Sequence, residues 1–275
     1  MRQVSAPPTR DLFEKTIEHN VAECIVTAGL DMLSLDNIFE TSELDSYQIA
    51  ERLYDTSMTH ENYGKIISRD NVKHDAEVLG LGERELKEMG RMIACKLEKA
   101  CGNYADWVKK SADEKTTYKY VSEQKFRAND KGIDDKHGIA AKPDFVVVED
   151  RKGSKLVYPI EVRTGDSREL YNGEMLQLTA ELICVGRNYS KINELAGDNN
   201  WTLYMRPKVF FTDGSIMEVD LSDRKYMDDV WRISRQIRNI EEEFEKGILK
   251  PTYRCSSCSL ATLVINGKPA CDKKK

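Results

Sequence analysis

Two strand-like runs joined by a short polar connection constrain this chain more than any other segment. Asp144 to Glu149 reads Asp-Phe-Val-Val-Val-Glu, and Lys155 to Thr164 reads Lys-Leu-Val-Tyr-Pro-Ile-Glu-Val-Arg-Thr. Both are rich in the β-branched and aromatic residues that suit a pleated, half-buried surface. Between them, residues 150–154 read Asp-Arg-Lys-Gly-Ser, a polar connection of hairpin type. A hairpin of this kind can bring carboxylates from neighbouring strands to one point. The candidates are Asp144, which follows Pro143, and Glu161. Arg163 lies two positions after Glu161 and so shares its strand face.

The flanking sequence sets this hairpin in a mixed α/β frame. Asp11 to Ala28 has helical periodicity with Leu12, Ile17, Val21, Ile25 and Val26 as its apolar side. Ser46 to Leu53 is a second helix, and residues 55–80 are polar and weakly periodic. A long helix is expected from Gly82 to about Trp107, with Gly102-Asn103 as its end or bend. Thr116 to Phe126 alternates like a strand, Glu169 to Arg187 reads as a helix, and Trp201 to Phe211 as a strand. Asp213-Gly214 turns into a return strand, and Asp223 to Lys246 is a last helix. The expected fold is a central mixed β-sheet flanked by helices, with three regions: a helical stretch (1–81), a core (82–250) and a cysteine-bearing tail (251–275).

Composition narrows the setting. The chain holds no apolar run long enough to span a bilayer, and Met1 to Asp11 lacks the apolar segment of a secretory signal. An intracellular location, cytoplasmic or nuclear, is therefore expected. There the seven cysteines are reduced thiols or metal ligands rather than disulfides. A net charge of −5 argues against a general nucleic-acid coat protein but leaves room for local basic patches.

Two carboxylates converging at the hairpin suit Mg²⁺ or Mn²⁺, hard cations that prefer oxygen ligands. With a cationic side chain beside them they form a set able to cut a phosphodiester. Gln177 follows on the next helix, in Gln-Leu-Thr-Ala-Glu-Leu. This order resembles the PD-(D/E)xK nuclease superfamily over roughly residues 82–221, and within it the RecB-like branch with its CRISPR-associated and helicase-fused members. The Gln-x-x-Ala-Glu helix is also similar to restriction-type domains of some eukaryotic effector and viral proteins. The resemblance implies a restriction-endonuclease-like core and metal-assisted hydrolysis of DNA, with RNA as the less favoured substrate. It implies Asp144, Glu161 and the Val162 carbonyl as metal ligands, and Arg163 in place of the catalytic lysine. Gln177 would position nucleic acid or the arginine, and Glu123 on the preceding strand would be an extra acid.

Three departures from the family pattern stand out. Arg163 stays protonated and cannot act as a general base, although it can stabilise charge developing on phosphate. Glu181 stands where the family often has tyrosine. The helix around Gly90 to Cys95 lacks the metal-binding histidine of many RecB-like members, with His74 and His137 lying elsewhere. Arg163 and the missing histidine support a second expectation, a nuclease-fold module without catalysis that binds nucleic acid or a protein partner, while Glu181 counts against the RecB-like branch.

Cys255-Ser-Ser-Cys258 and Cys271 look like three thiolate ligands of a Zn²⁺ or iron–sulfur site. In the CRISPR-associated and helicase-fused relatives, a C-terminal cysteine trio and one N-terminal cysteine bind an iron–sulfur cluster, and Cys24 is the N-terminal counterpart here. The gap from Cys258 to Cys271 is longer than that pattern, and free thiols in the tail are the plainer reading. Cys95, Cys101 and Cys184 read as buried structural thiols. Arg232, Arg235 and Arg238 form a basic ridge that either follows a phosphate backbone or is a solvated face balanced by Glu241, Glu242 and Glu243.

Overall fold

A computed structural model describes residues 8–58, 60–128, 138–165, 170–245, 264–265 and 268–269. Its first half is helical. Thr9 caps α1 (Arg10–Met32), its hydroxyl accepting a hydrogen bond from the Leu12 amide at 3.2 Å. Phe13, Ile17, Val21 and Ile25 form the buried stripe, while Leu12 is 56% exposed, so the apolar side begins one residue later than its sequence suggests. Short helices α2 (Ile38–Glu43) and α3 (Ser46–Met58) follow. The weakly periodic stretch after them is also helical, as α4 (His60–Ile67) and α5 (Asp70–Val78). Tertiary packing overrides the polar composition there. Ile66, Val72 and Ala76 are buried, and the Tyr63 hydroxyl donates to the Leu86 carbonyl at 2.7 Å.

The long helix α6 (Glu83–Asp113) starts with Glu85 accepting from the Gly82 amide at 3.0 Å. It runs straight through Gly102-Asn103. The Asn103 side chain instead donates to the Asp213 carbonyl at 2.9 Å, tying the helix to the sheet.

The strands come next: β1 (Thr116–Ser122), β2 (Phe126–Ala128), β3 (Ile139–Ala141), β4 (Phe145–Arg151) and β5 (Ser154–Arg163). Arg151 pairs with Ser154, leaving Lys152-Gly153 as a two-residue turn with φ of 55° and 90°. Two positive φ values are what the type I′ hairpin turn requires. Helices α7 (Asn172–Arg187) and α8 (Tyr189–Ala196) lead to β6 (Trp201–Leu203), β7 (Lys208–Phe211) and β8 (Ile216–Glu218). The expected single strand from Trp201 to Phe211 is thus split. Pro207, which has no amide to donate, lies in the break, and both pieces pair parallel with β5. Helix α9 (Arg224–Glu245) and the small pair β9 (Val264–Ile265) and β10 (Lys268–Pro269) complete the described residues.

The main sheet has six strands in the order β1-β4-β5-β7-β8, with β6 also on β5. Its β1–β4, β4–β5 and β7–β8 pairs are antiparallel, and β5 pairs parallel with β6 and β7, so the sheet is mixed. One apolar cluster joins α1 to α6 with one face of the sheet, through Tyr118, Phe145, Val147, Tyr158, Ile160, Val162 and Phe210. The other face packs against α7, α8 and α9. Two helical layers therefore cover one sheet. No helix among the described residues is long and apolar enough to cross a membrane. Cys101 and Cys184 are buried as expected, but Cys95 is exposed on α6.

The β7–β8 turn lies directly on α6. Gly214 has φ of +84°, and a β-carbon there would sit 2.6 Å from the Ala100 carbonyl oxygen. We expect Gly214→Ala to destabilise the fold by about 1–3 kcal/mol, from overpacking against backbone and from a positive φ. Urea unfolding checks this, and a loss below about 0.5 kcal/mol would mean that turn and helix separate without strain.

Candidate functional site

The hairpin register positions the first two acids. Phe145 pairs with Ile160, so the next step sets Asp144 opposite Glu161. Asp144 lies one residue before β4, and its Oδ2 accepts from the Val162 amide at 2.7 Å. Its backbone carbonyl accepts from the Glu123 amide at 2.9 Å. Glu123 itself turns away: its carboxylate is exposed and pairs with Lys142 at 3.2 Å.

Alternation along β5 sends Glu161 and Arg163 to the α7 side, opposite the face of Ile160 and Val162. Glu161 is 4% exposed. Arg163 Nη2 lies 3.5 Å from Glu161 Oε2 and donates to Gln177 Oε1 at 2.9 Å. Gln177 Nε2 donates onward to Glu161 Oε2 at 3.3 Å and to Glu181 Oε1 at 2.9 Å. Gln177 therefore holds the arginine and two carboxylates together. Glu181, one helical turn further along α7, is buried with them.

The opposite layer adds residues that sequence reasoning missed. His19 and Glu23 are four apart on α1, and His19 Nε2 lies 3.2 Å from Glu23 Oε1 and 3.8 Å from Asp144 Oδ1. Donor atoms of His19, Glu23 and Asp144 all fall within 4.8 Å of one another. A histidine does lie beside Asp144, but on α1 rather than on the helix around Gly90 to Cys95, and a His-x-x-x-Glu spacing on α1 was the available signal. Arg69 steadies this corner, with Nη1 2.8 Å from Asn20 Oδ1 and 3.9 Å from Glu23 Oε2. Glu18, also on α1, accepts from the Thr212 hydroxyl and from Lys96 Nζ at 2.8 Å. Thr212 in turn donates its amide to the Arg163 carbonyl at 3.0 Å, so α1 is fastened to the end of β5.

Burial dominates the electrostatics. It pushes the Glu161 carboxyl up to about 10, helped by the charges of Glu181 and Asp144. Burial also raises Asp144, against the Val162 amide and the His19 charge, and raises Glu181 against its hydrogen bonds to Glu161 and Gln177. For His19, burial disfavours the cation, but the hydrogen bond to Glu23 and the charges of Asp144 and Glu23 outweigh it and raise its pKa. Glu161 Oε1, Glu181 Oε2 and Arg163 Nε are buried without a hydrogen-bond partner. An oxygen of that kind is costly to bury alone, and a hard cation is a partner of the right charge. Carboxylates with one imidazole are a donor set able to hold a divalent ion.

The cysteines divide. Cys24 lies on α1, half-buried against the apolar cluster, and burial raises its thiol pKa. Cys255, Cys258 and Cys271, together with His137, lie outside the described residues. On α9, Arg232 is tied to Asp229 at 2.8 Å, and the Arg238 side chain is outside the description. No family model and no curated protein sequence matches this chain.

Proposed function

We propose that this chain is a metal-dependent nuclease of the PD-(D/E)xK type, RecB-like branch, that hydrolyses phosphodiester bonds, with DNA favoured over RNA. One observation carries the reading. Asp144, Glu161, Arg163 and Gln177 meet at one end of the sheet, and His19 and Glu23, more than a hundred residues earlier in the chain, join them from the other layer. The preference for DNA rests on the resemblance alone.

Asp144, His19 and Glu23 would hold Mg²⁺ or Mn²⁺, with Glu161 beside them. Bound there, the ion supplies a water of lowered pKa and neutralises charge on the phosphate. Arg163 stays protonated, so its role is to hold a phosphate oxygen and offset the charge that develops on it. Gln177 fixes that guanidinium. Hydrolysis joins the water oxygen to phosphorus and releases the leaving strand's oxygen. Cys24, Cys255, Cys258 and Cys271 would hold an iron–sulfur cluster or Zn²⁺ as a separate group.

Arg163 also favours a second reading, a nuclease fold without catalysis that binds nucleic acid or a protein, because the family's titratable lysine is replaced by a fixed cation. Arg163→Lys tests what the position does in an active chain. If the position is catalytic, activity is retained or rises; a large loss would mean that the planar, Gln177-bound guanidinium has its own geometric role. The primary test is cleavage of labelled single- and double-stranded DNA and RNA with Mn²⁺ or Mg²⁺, beside the Asp144→Ala/Glu161→Ala double variant. Cleavage by the unaltered chain alone supports the nuclease. No cleavage on any substrate, with no metal binding by calorimetry, leaves the non-catalytic module.

A further inference from the structure

We infer that Glu18 and Thr212 are positioning residues, and that the bond between them sets α1, with His19 and Glu23, against the end of β5 that carries Glu161 and Arg163. This rests on reading the centre as the nuclease site. The polar partners of the two side chains are each other, Lys96 and the Gly165 amide, so neither side chain would meet metal or substrate.

The centre is assembled from two layers, and little at the centre itself fixes one against the other. His19 and Glu23 come from α1, while Glu161 and Arg163 come from β5. His19 Nε2 lies 3.8 Å from Asp144 Oδ1, too far for a hydrogen bond. Apolar packing joins α1 to Ile160 and Val162, but it is non-directional and resists sliding or rotation of the helix only weakly. The far end of α1 is tied down, with the Tyr120 hydroxyl on Asp31 Oδ1 at 2.8 Å and the Tyr118 amide on the Leu33 carbonyl at 2.9 Å. Asp31, however, lies roughly 18 Å further along the helix than His19, at about 1.5 Å per residue.

Glu18 and Thr212 supply the directional tie at the near end. Glu18 directly precedes His19, and it is 6% exposed; Thr212 is 1% exposed. The Thr212 amide donates to the Arg163 carbonyl at 3.0 Å, and the Gly165 amide donates to the Thr212 hydroxyl at 3.4 Å. The same hydroxyl donates to Glu18 Oε1. One proton and two lone pairs allow it to do both at once. Other groups carry the structural load around this bond. Lys96 Nζ meets the two Glu18 oxygens at 2.8 and 2.9 Å, so the buried charge keeps its partner without Thr212. On either side of Thr212, the Phe211 carbonyl is held by the Tyr104 hydroxyl and the Asp213 carbonyl by Asn103, both from α6. What the Thr212 hydroxyl adds is the coupling of α1 to the exit of β5. A misplacement of about 1 Å between reacting groups can cost roughly 100-fold in rate, so such a coupling bears on turnover before it bears on folding.

Steady-state cleavage of a labelled DNA oligonucleotide with Mn²⁺, by the full chain and its Thr212→Val and Thr212→Ser variants, tests this. Circular dichroism and thermal melts establish that each variant is folded at the assay temperature, and Thr212→Ala carries the comparison if the valine variant is not. Valine keeps the shape and loses the hydroxyl, so kcat should fall roughly tenfold or more while KM stays within about threefold. Serine keeps the hydroxyl and should restore kcat to within about threefold of the unaltered chain. An unchanged kcat in the folded valine or alanine variant overturns the positioning role and leaves the nuclease reading standing. So does an equal loss in serine and valine, which would trace the effect to the methyl group, or a rise in KM alone, which would trace it to substrate binding. No cleavage by the unaltered chain overturns both.

Discussion

Glu161→Gln is expected to abolish cleavage while stabilising the metal-free protein. Glutamine keeps the shape and can still bond Gln177, but it removes the charge that a cation and a reacting phosphate require. Loss of such a group lowers turnover by roughly 100-fold or more. Stability should move the other way, because Glu161 is held at about 10 by burial and by the charges of Glu181 and Asp144, far above its ordinary 4.5. The sign follows from proton binding. Between those two values the folded chain keeps the proton and the unfolded chain gives it up, so stability falls as pH rises. The steepest slope one group can impose is about 1.4 kcal/mol per pH unit. Metal-free wild-type protein should therefore melt at a lower temperature at about pH 8 than at about pH 5, and Glu161→Gln should flatten that slope. Thermal melts in chelator at both values, with a cleavage assay alongside, give the answer. Undiminished cleavage removes Glu161 from the site; an unchanged slope assigns the pH dependence to other groups.

Glu149→Ala is expected to produce the largest loss of stability. Glu149 is 1% exposed and sits on the sheet face opposite Glu161. It accepts from Lys208 Nζ at 2.9 Å, from the Tyr158 hydroxyl and from Arg151 Nε. Burial alone would raise this carboxyl, but the Lys208 charge and the bonds from Tyr158 and Lys208 outweigh it and hold it below its ordinary value. Lys208 is itself buried, its ammonium 5.0 Å and 5.9 Å from the Tyr158 and Tyr118 rings. Alanine would leave that ammonium without its counter-charge, a loss of about 3–5 kcal/mol. In a chain of this size the melting temperature should drop by roughly 10 °C. The double variant Glu149→Gln/Lys208→Met, which buries no charge, should lose less than the single one. A loss under about 1 kcal/mol for Glu149→Ala would mean that the Lys208 ammonium reaches water.

The hairpin and its chemistry were legible because their rules are local. Period-two alternation, a polar turn with Gly153 and the placement of Asp144, Glu161 and Arg163 all follow from residues close in sequence. Gln177, in the second turn of α7, was legible only through the resemblance to a family that carries a glutamine on that helix. The mixed sheet between helical layers followed from the order of apolar patterns. Local signals failed where packing decides. The polar stretch after α3 became α4 and α5 because buried contacts to α1 and α6 stabilise short helices that propensity alone does not. The strand ending in Phe211 broke at Pro207 because β5 offers two separate pairing segments.

His19 and Glu23 show the limit most clearly. Their i, i+4 spacing marks them as neighbours on one helix face, which many solvated pairs share. Nothing near them in sequence tells that α1 packs across the sheet so that this face meets Asp144. The same holds for Glu181, whose spacing from Gln177 reads as an ordinary helical pair until α7 is laid on β5. Sequence alone determined which residues lie on one strand, turn or helix face, because backbone geometry is set by near neighbours. Only the tertiary structure decided which faces meet and how deeply each carboxylate is buried. Both depend on long-range packing of two layers on one sheet, and that burial is what makes these carboxylates a candidate site.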